Sequence, residues 1–265
     1  MVRMANHLYE ETKMKNLCLA GGVALNCVAN SKILERTPFE DIFIQPAAGD
    51  AGGAVGVAYH IYNSLLKKER TFVWHDAFLG PEFSEGEIQE YLDGLGIEHV
   101  RYGREELLRE TARLIAEQHV VGWFQGRMEW GPRALGNRSI LADARNPENQ
   151  SRVNLKIKFR ESFRPFAPAV LMERSAEYFD FDRPSPYMLL TAQVREEKRH
   201  IPSVTHVDGS ARLQTVAREE NPMFYDLIRE FERQTGCPVL INTSFNVRGE
   251  PIVCTPHDAF KCFMR

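Results

Sequence analysis

Two short segments of this chain combine arginine with amide, hydroxyl and turn-forming residues. The first, residues 130–139 (WGPRALGNRS), contains Arg133 and Arg138, and the second, residues 242–251 (NTSFNVRGEP), contains Arg248. A guanidinium group binds phosphate or carboxylate through two parallel hydrogen bonds, and glycine and proline indicate tight turns. A single arginine is more often a partner in a surface ion pair. Two such segments together predict one polar pocket for an oxyanion.

The second segment also contains side chains that both donate and accept hydrogen bonds. Asn242, Ser244 and Asn246 suit an amide or a ribose. A turn at residues 163–166 adds Arg164 between two phenylalanines. No Ser-His-Asp order and no signature of a nucleophilic cysteine is present, so the sequence indicates anion binding and electrostatic stabilisation rather than covalent catalysis.

Two glycine-rich turns occur near the N-terminus, each between a predicted strand and a predicted helix. Gly21 and Gly22 could expose backbone N–H groups to a phosphate, although such turns equally often serve packing. Gly52 and Gly53 would permit close approach of a nucleotide. Asp50, beside them, is either a helix N-cap or a metal ligand, and the N-cap is the more common role.

The composition indicates a globular protein of one or two domains. The chain has 265 residues, 43% of them apolar, and a net charge of -3. It contains no apolar stretch of membrane-spanning length and no signal-peptide pattern, so we expect no membrane association. Five cysteines without a CxxC pair favour a cytoplasmic location. The eight histidines show no HxxxH or HExxH spacing, which leaves no self-contained zinc or iron site.

Positive charge is concentrated in the middle of the chain. Residues 127–164 contain nine Arg or Lys and four Asp or Glu, a local excess of +5 that leaves the remainder at -8. A solvated basic face and a nucleic-acid patch are both compatible with this excess. The mild acidity of the whole chain disfavours nucleic acid and favours a small anionic ligand.

The order of predicted elements indicates an α/β fold. Strands at 16–20 and 41–45 alternate with helices at 23–36 and 51–68, and their glycine-rich turns lie at strand carboxyl ends, where open sheets bind ligands. A linker begins near residue 67, so we expect domains at 1–70 and 71–265. The second domain is predicted to contain helices at 104–119, 147–158, 173–179, 221–234 and from 256, and strands at 120–124, 166–171, 187–195, 211–217 and 238–241.

Five motifs, in this order, resemble those of the O-carbamoyltransferase family of nodulation-factor and antibiotic biosynthesis. They are AGGVALN at 20–26, PAAGDAGG at 46–53, WGPRALGNRSI at 130–140, FRPFAP at 163–168 and NTSFNVRGEP at 242–251. The resemblance extends over nearly the whole chain. It implies a partial domain of the actin/hexokinase type (Kae1-like) in residues 1–70, followed by a YrdC-like α/β domain with a twisted mixed sheet in residues 71–265.

The resemblance also implies a reaction and the residues that perform it. ATP, with Mg, and carbamoyl phosphate would form carbamoyl adenylate, and the carbamoyl group would pass to the hydroxyl of a small-molecule acceptor. The residues matching the catalytic positions are Arg133, Arg164, Arg248 and Asn242. Those matching other positions around carbamoyl phosphate and the nucleotide are Arg138, Ser244, Asn246, Gly21, Gly22, Asn26, Gly52 and Gly53. Asp50 matches the metal-binding aspartate.

Family members begin with a longer N-terminal half that contains a histidine pair for iron, and this chain has no counterpart of it. We therefore expect a fragment in which Asp50 alone does not hold Fe and transfer to the acceptor is impaired. Two alternatives remain open. One is an enzyme of the tRNA threonylcarbamoylation type, which shares both domains but is disfavoured by the acidity of the chain. The other is a non-catalytic nucleotide-binding module.

Overall fold

The computed structural model describes residues 1–265 and contains two separate β-sheets. The smaller sheet consists of the parallel strands β1 (Asn16–Leu19) and β2 (Asp41–Ile44). Helix α1 (Val2–Thr12) precedes β1, and helix α2 (Cys27–Arg36) joins the two strands. Both helices pack against this sheet around a small apolar core, as expected for a strand-helix-strand unit.

Helix α3 (Asp50–Tyr59) follows β2 and continues as a π-helical segment (His60–Leu65). Its first turn approaches the preceding loop so closely that a Cβ atom on Gly52 would lie 2.3 Å from the carbonyl oxygen of Ala47. Only glycine fits there, so close packing explains this residue. None of the helices has the combination of length and apolar composition that crossing a bilayer requires.

The larger sheet has seven strands in the order β3-β4-β9-β5-β8-β7-β6. Strands β5 and β8 pair in parallel, and all other neighbours are antiparallel. The α/β fold with a mixed sheet is thus confirmed. The strands are β3 (Val121–Phe124), β4 (Arg138–Asp143), β5 (Ala167–Leu171), β6 (Phe179–Asp180), β7 (Leu190–Val194), β8 (Ser210–Val216) and β9 (Val239–Ser244).

Six helices accompany this sheet, and the longest shows why the sequence folds as it does. They are α4 (Glu85–Gly94), α5 (Arg104–Ala116), α6 (Glu148–Lys156), α7 (Ser175–Tyr178), α8 (Pro222–Thr235) and α9 (Pro256–Phe263). The N-cap of helix α8 is Asn221, whose side chain accepts a hydrogen bond from the N–H of Phe224. Its C-cap is Gly236, with φ 74°. Its buried residues recur at helical spacing, which places one apolar face on the sheet.

Three of these helices and strands were not predicted from the sequence, namely α4, β4 and the two-residue strand β6. Helix α4 begins with a capping box between Ser84 and Glu87, a local signal that its weakly apolar sequence obscured. Strand β4 was predicted to be part of a loop, because it starts with Arg138 and Ser139, yet all six of its residues are buried. The boundary predicted at residue 70 falls within residues 66–84, which contain no helix or strand, and it stays a prediction.

The N-terminal elements are attached to the larger sheet through α2. The hydroxyl of Ser31 accepts a hydrogen bond from the N–H of Thr191 (2.7 Å) and donates one to the carbonyl of the same residue (3.1 Å). The buried amide of Asn30 donates to the carbonyls of Ala24 and Leu189. Because β6 covers only the far end of β7, these side chains satisfy the open part of that strand edge.

Candidate active site

A cationic cleft lies at the ends of β9 and β4 and consists of two adjoining cavities. The inner cavity, of about 410 Å³, is lined by residues that include Arg133, Arg212 and Asn242. The outer cavity, of about 640 Å³, is lined by residues that include Lys158 and Arg248. Three residues line both cavities, namely Arg160, Arg164 and Ser244. The two cavities therefore form one continuous cleft.

The charge of this cleft is almost entirely positive. Six cationic side chains line it: Arg133, Lys158, Arg160, Arg164, Arg212 and Arg248. The only carboxylate among the lining residues is Glu161, which pairs with Arg164 at 2.8 Å, while the other five cations make no ion pair. An enclosed surface of one sign concentrates ions of the opposite sign. The cleft is therefore suited to a polyanionic ligand.

The loop that carries Arg133 is held in shape by the buried carboxylate of Glu129. One oxygen of this carboxylate accepts hydrogen bonds from the backbone N–H groups of Leu135 (2.6 Å), Asn137 (2.8 Å) and Arg138 (3.3 Å). Burial raises the pKa of Glu129, and the three N–H donors oppose that shift. The Glu129 carboxylate thus holds the backbone of this loop from the side that faces the protein interior. The Nε of Arg133 is buried and has no hydrogen-bond partner within the protein.

Arg138, which was predicted to bind the anion, lies outside the cleft lining. Its side chain is fully buried, and the guanidinium lies over the ring of Phe124 at 3.6 Å from the ring centre. The same group donates to backbone carbonyls, among them those of Gln125 (2.7 Å) and Pro81 (3.3 Å). It lines neither cavity. Arg138 therefore fastens the base of the loop, and its one unpartnered donor, Nε, is buried away from the cleft lining.

Arg212 is the site residue that the sequence analysis missed most clearly. It lies on β8, between the buried Ala211 and Leu213, and its side-chain Nε has no partner. Burial and the neighbouring charge of Arg133 lower the pKa of Arg212 to about 10. Such a group is costly in a free protein unless an anion compensates it. An arginine inside an otherwise buried strand was the signal that could have identified it.

The orientation of Asn242 follows from a chain of hydrogen bonds. The amide NH₂ of Gln214 donates to the carbonyl of Leu135 (2.9 Å), so its oxygen is left to accept from the NH₂ of Asn242 (2.7 Å). The side-chain oxygen of Asn242 is consequently the atom without a partner, although the residue is fully buried and lines the inner cavity. This oxygen is an unsatisfied acceptor, and it suits a ligand that carries an N–H or O–H group.

Lys158 connects the end of α6 to the segment after β9. Its ammonium group contacts the side-chain oxygen of Asn246 (2.6 Å), the carbonyl of Asn246 (2.9 Å) and the hydroxyl of Ser244 (3.2 Å). Burial and the nearby Arg160 guanidinium lower the pKa of Lys158 to about 7. The oxygen acceptors favour the ammonium form, so the charge of this buried lysine is sensitive to pH close to neutrality.

The structure brings together most of the residues predicted to bind the anion. Those that line the cleft are Arg133, Arg164, Arg248, Asn242, Ser244 and Asn246. Lys158 and Arg160 also line the cleft, and in the sequence they stand out only as part of the local excess of positive charge. Cys27 and His206 also line the inner cavity, and no sequence pattern singled them out.

The two glycine-rich turns lie beside the cleft and not in its lining. The N–H of Gly21 donates to the carbonyl of Ala48 (2.7 Å), so the turns after β1 and β2 are in contact. The indole N–H of Trp130 donates to the carbonyl of Ala51 (3.3 Å). Asn26 acts as the N-cap of α2, where its side chain accepts from the N–H of Ala29. Nucleotide binding by Gly21, Gly22, Asn26, Gly52 and Gly53 stays a prediction.

Comparison with known proteins agrees with these features. A family model described as the carbamoyltransferase C-terminus matches residues 112–265, and one described as the carbamoyltransferase N-terminus matches residues 1–59. The chain belongs to the carbamoyltransferase family. The resemblance inferred from the five motifs is thus confirmed.

Several relatives of this carbamoyltransferase-family chain are similar along its whole length. It is 53% identical to the uncharacterised protein sll1178 of Synechocystis, covering 100% of this chain and 48% of the relative. It is 44% identical to nodulation protein NolO of Bradyrhizobium diazoefficiens, with 97% and 48% covered, and 45% identical to nodulation protein NolNO of Sinorhizobium fredii, with 97% and 39% covered. The chain spans about half the length of these relatives or less.

Two solved structures share a more distant similarity. One is full-length HypF in a phosphate- and nucleotide-bound form, with a TM-score of 0.44 and 17% identity over 63% of this chain and 20% of that one. The other is HypF of T. kodakarensis, with a TM-score of 0.41 and 19% identity over 62% and 20%. Similarity this remote carries no inference about the function of the present carbamoyltransferase-family chain.

Asp50, the predicted metal ligand, has no partner ligands within this chain. It is the first residue of α3, and Gly49 occupies the N-cap position. Its side chain is exposed, and the structure contains no group of three His, Cys, Asp or Glu side chains that could hold a metal ion. Iron or magnesium needs several ligands at once, and the residues around Asp50 in this chain do not provide them. Metal binding by Asp50 stays a prediction.

The charge of Lys158 predicts that anion binding depends on pH. Sulfate stays a dianion throughout, so between pH 6 and pH 9 only the protein titrates. Because the pKa of Lys158 is about 7, its ammonium is present at pH 6 and lost at pH 9, and sulfate affinity should fall about tenfold. Calorimetric titration at constant ionic strength measures this change.

The variant Lys158→Met is the control for this prediction. Burial lowers the pKa of His206 below its usual value, so this residue is already neutral above pH 7, and Arg212 remains charged to pH 9. The pH dependence above neutrality should therefore disappear in the variant. An unchanged slope in Lys158→Met would assign the titration to another group.

Proposed function

We propose that this chain provides the adenylate-forming site of an ATP-dependent O-carbamoyltransferase. In this proposal residues 71–265 form a YrdC-like domain that binds ATP and carbamoyl phosphate in the cationic cleft. The two substrates and one water molecule give carbamoyl adenylate, phosphate and pyrophosphate. Residues 1–70 belong to a Kae1-like domain that passes the carbamoyl group to an acceptor hydroxyl. Because the chain spans about half of its relatives' length, the transfer step is proposed for the whole protein.

The proposal rests on three residues that line the inner cavity and have polar atoms without a partner in the protein. Two of these residues offer donors and one offers an acceptor. The guanidinium groups of Arg133 and Arg212 have no carboxylate partner, whereas the buried oxygen of Asn242 lacks a donor. Carbamoyl phosphate complements both, since its phosphate oxygens accept hydrogen bonds and its amide NH₂ donates them. An anion without a hydrogen-bond donor, such as sulfate, would leave the oxygen of Asn242 unsatisfied.

The remaining cations suit the charge that develops during the reaction. Forming the adenylate breaks the bond between the α- and β-phosphates of ATP, and negative charge accumulates on the departing pyrophosphate. Arg160 and Arg164 line both cavities, and they would lie between the two substrates. Guanidinium groups fixed at such a position stabilise the charge without moving. No nucleophilic side chain is required, because water first cleaves carbamoyl phosphate to phosphate and carbamate, and a carbamate oxygen then attacks the α-phosphorus and displaces pyrophosphate.

Binding of carbamoyl phosphate tests the assignment of the inner cavity. We expect Arg133→Ala and Arg212→Ala each to weaken binding by about 1.5–3 kcal/mol, the usual cost of a lost hydrogen bond to a charged group. Isothermal titration calorimetry measures this difference. Arg218→Ala is the matched control, because Arg218 is exposed and pairs with Asp226 outside the cleft. Equal affinity in all four proteins would refute the assignment.

The unsatisfied oxygen of Asn242 predicts selectivity for the carbamoyl group. Acetyl phosphate has nearly the same shape as carbamoyl phosphate but replaces the NH₂ by a methyl group. The native protein should therefore bind carbamoyl phosphate more tightly by roughly tenfold, since a buried acceptor left without a donor costs about 1–3 kcal/mol. In Asn242→Leu the preference should vanish. A preference that persists in this variant would show that another residue reads the amide.

Release of pyrophosphate tests the reaction itself. With ATP and carbamoyl phosphate together, the native chain should release pyrophosphate, and Arg212→Ala should do so at least about 100-fold more slowly, as for the loss of one preorganised donor. Omitting carbamoyl phosphate should abolish the signal. If ATP binds but no pyrophosphate appears under any condition, the chain is a non-catalytic nucleotide-binding module.

A further inference from the structure

The rim of the outer cavity carries an aromatic ring that the anion-binding residues do not explain. Phe159 is 52% exposed and lines the outer cavity. Leu155, one turn earlier at the end of α6, lines the same rim and is 55% exposed. The outer cavity therefore offers an apolar surface and a set of cations next to each other. A ligand that fits both has an anionic part and a flat or apolar part.

The backbone holds Phe159 in this position at an energetic cost. Its φ angle is 45°, a left-handed conformation that is a genuine outlier for a bulky residue. Residues in such conformations persist where the surrounding structure enforces them, and they concentrate at binding sites. Neighbouring contacts must therefore hold the backbone of Phe159 in this conformation.

That constraint comes from the residues on either side and from the opposite wall. Lys158 is tied to the segment after β9 by its ammonium group, and the Nε of Arg160 donates to the side chain of Asn154 at 2.6 Å. Both flanking side chains thus turn into the protein. From across the cavity, the guanidinium of Arg248 donates to the carbonyl of Phe159 at 3.0 Å. The aromatic ring of Phe159 lies at the rim of the outer cavity. Its neighbours in the sequence, Lys158 and Arg160, are both cationic.

We propose that Phe159 is the base-stacking residue of the nucleotide site, with Leu155 extending the apolar surface beneath the base. The inference rests on the proposed function, because it assumes that the outer cavity holds the phosphates of a nucleotide. Arg160 and Arg248 then bind the phosphates, the charge of Lys158 attracts them, and the ring contacts the base of the same molecule. Every base has a π-face, so stacking of this kind tolerates different bases and favours the larger purines.

Comparing ATP with inorganic triphosphate separates the base from the phosphates. Removing one aromatic stack should weaken ATP binding roughly tenfold in Phe159→Ala. Binding of inorganic triphosphate, which has no base, should stay unchanged in the same variant. In Phe159→Trp, ATP should bind as in the native protein. The indole fluorescence of that variant should respond to ATP and not to triphosphate.

Phe43→Ala is the matched control, since Phe43 is exposed to a similar degree (58%) on β2 and lines neither cavity of the cleft. It should leave both affinities at the native value. Equal ATP affinity in Phe159→Ala and the native protein overturns the proposal. So does a parallel loss of ATP and triphosphate affinity, which would mean that Phe159 only shapes the backbone around Arg248. If neither compound binds the native protein, the proposed function fails as well.

Discussion

Uncompensated positive charge is the constraint on which the rest of this structure depends. Arg133 and Arg212 are close enough for the charge of Arg133 to lower the pKa of Arg212. Their repulsion therefore reduces the stability of the folded state. Such repulsion is tolerable only if strands and closed loops resist it. Arg212 accordingly projects from a central strand, and Arg133 from a loop with several backbone hydrogen bonds. An anion that enters the cleft removes the repulsion and stabilises the folded chain.

Groups that do not face the ligand determine where the cations and amides point. Glu129 gathers three backbone N–H groups and so shapes the loop of Arg133. Gln214 leaves Asn242 with its oxygen free. Side chains of this kind, one step removed from the ligand, are what make a binding site rigid enough for selective recognition. In this family member Glu129 and Gln214 are such residues. Both are buried, and hydrogen bonds to neighbouring groups fix their orientation.

The sequence was sufficient for those features whose cause is local. Alternating strands and helices predicted the α/β class, and arginine on glycine turns predicted Arg133 and Arg248 as parts of one pocket. It failed where the cause lies far away in the chain. Arg138 looked like Arg133, because only the fold shows that backbone carbonyls of residues 81 and 125 surround it. Arg212 reaches the cleft only because β8 lies beside β5 in the sheet, and that order could not be derived from spacing.

The loop of Arg133 also touches the smaller sheet, and this contact links two parts of the protein mechanically. Gly131 has φ 144°, and a Cβ atom there would lie 2.9 Å from the carbonyl of Pro46. Trp130 is bonded to the first turn of α3. Because no space remains for a side chain at this contact, the position of the Arg133 loop and that of the turn after β2 depend on each other. A substitution that enlarged Gly131 would therefore be expected to disturb the smaller sheet as well as the cleft.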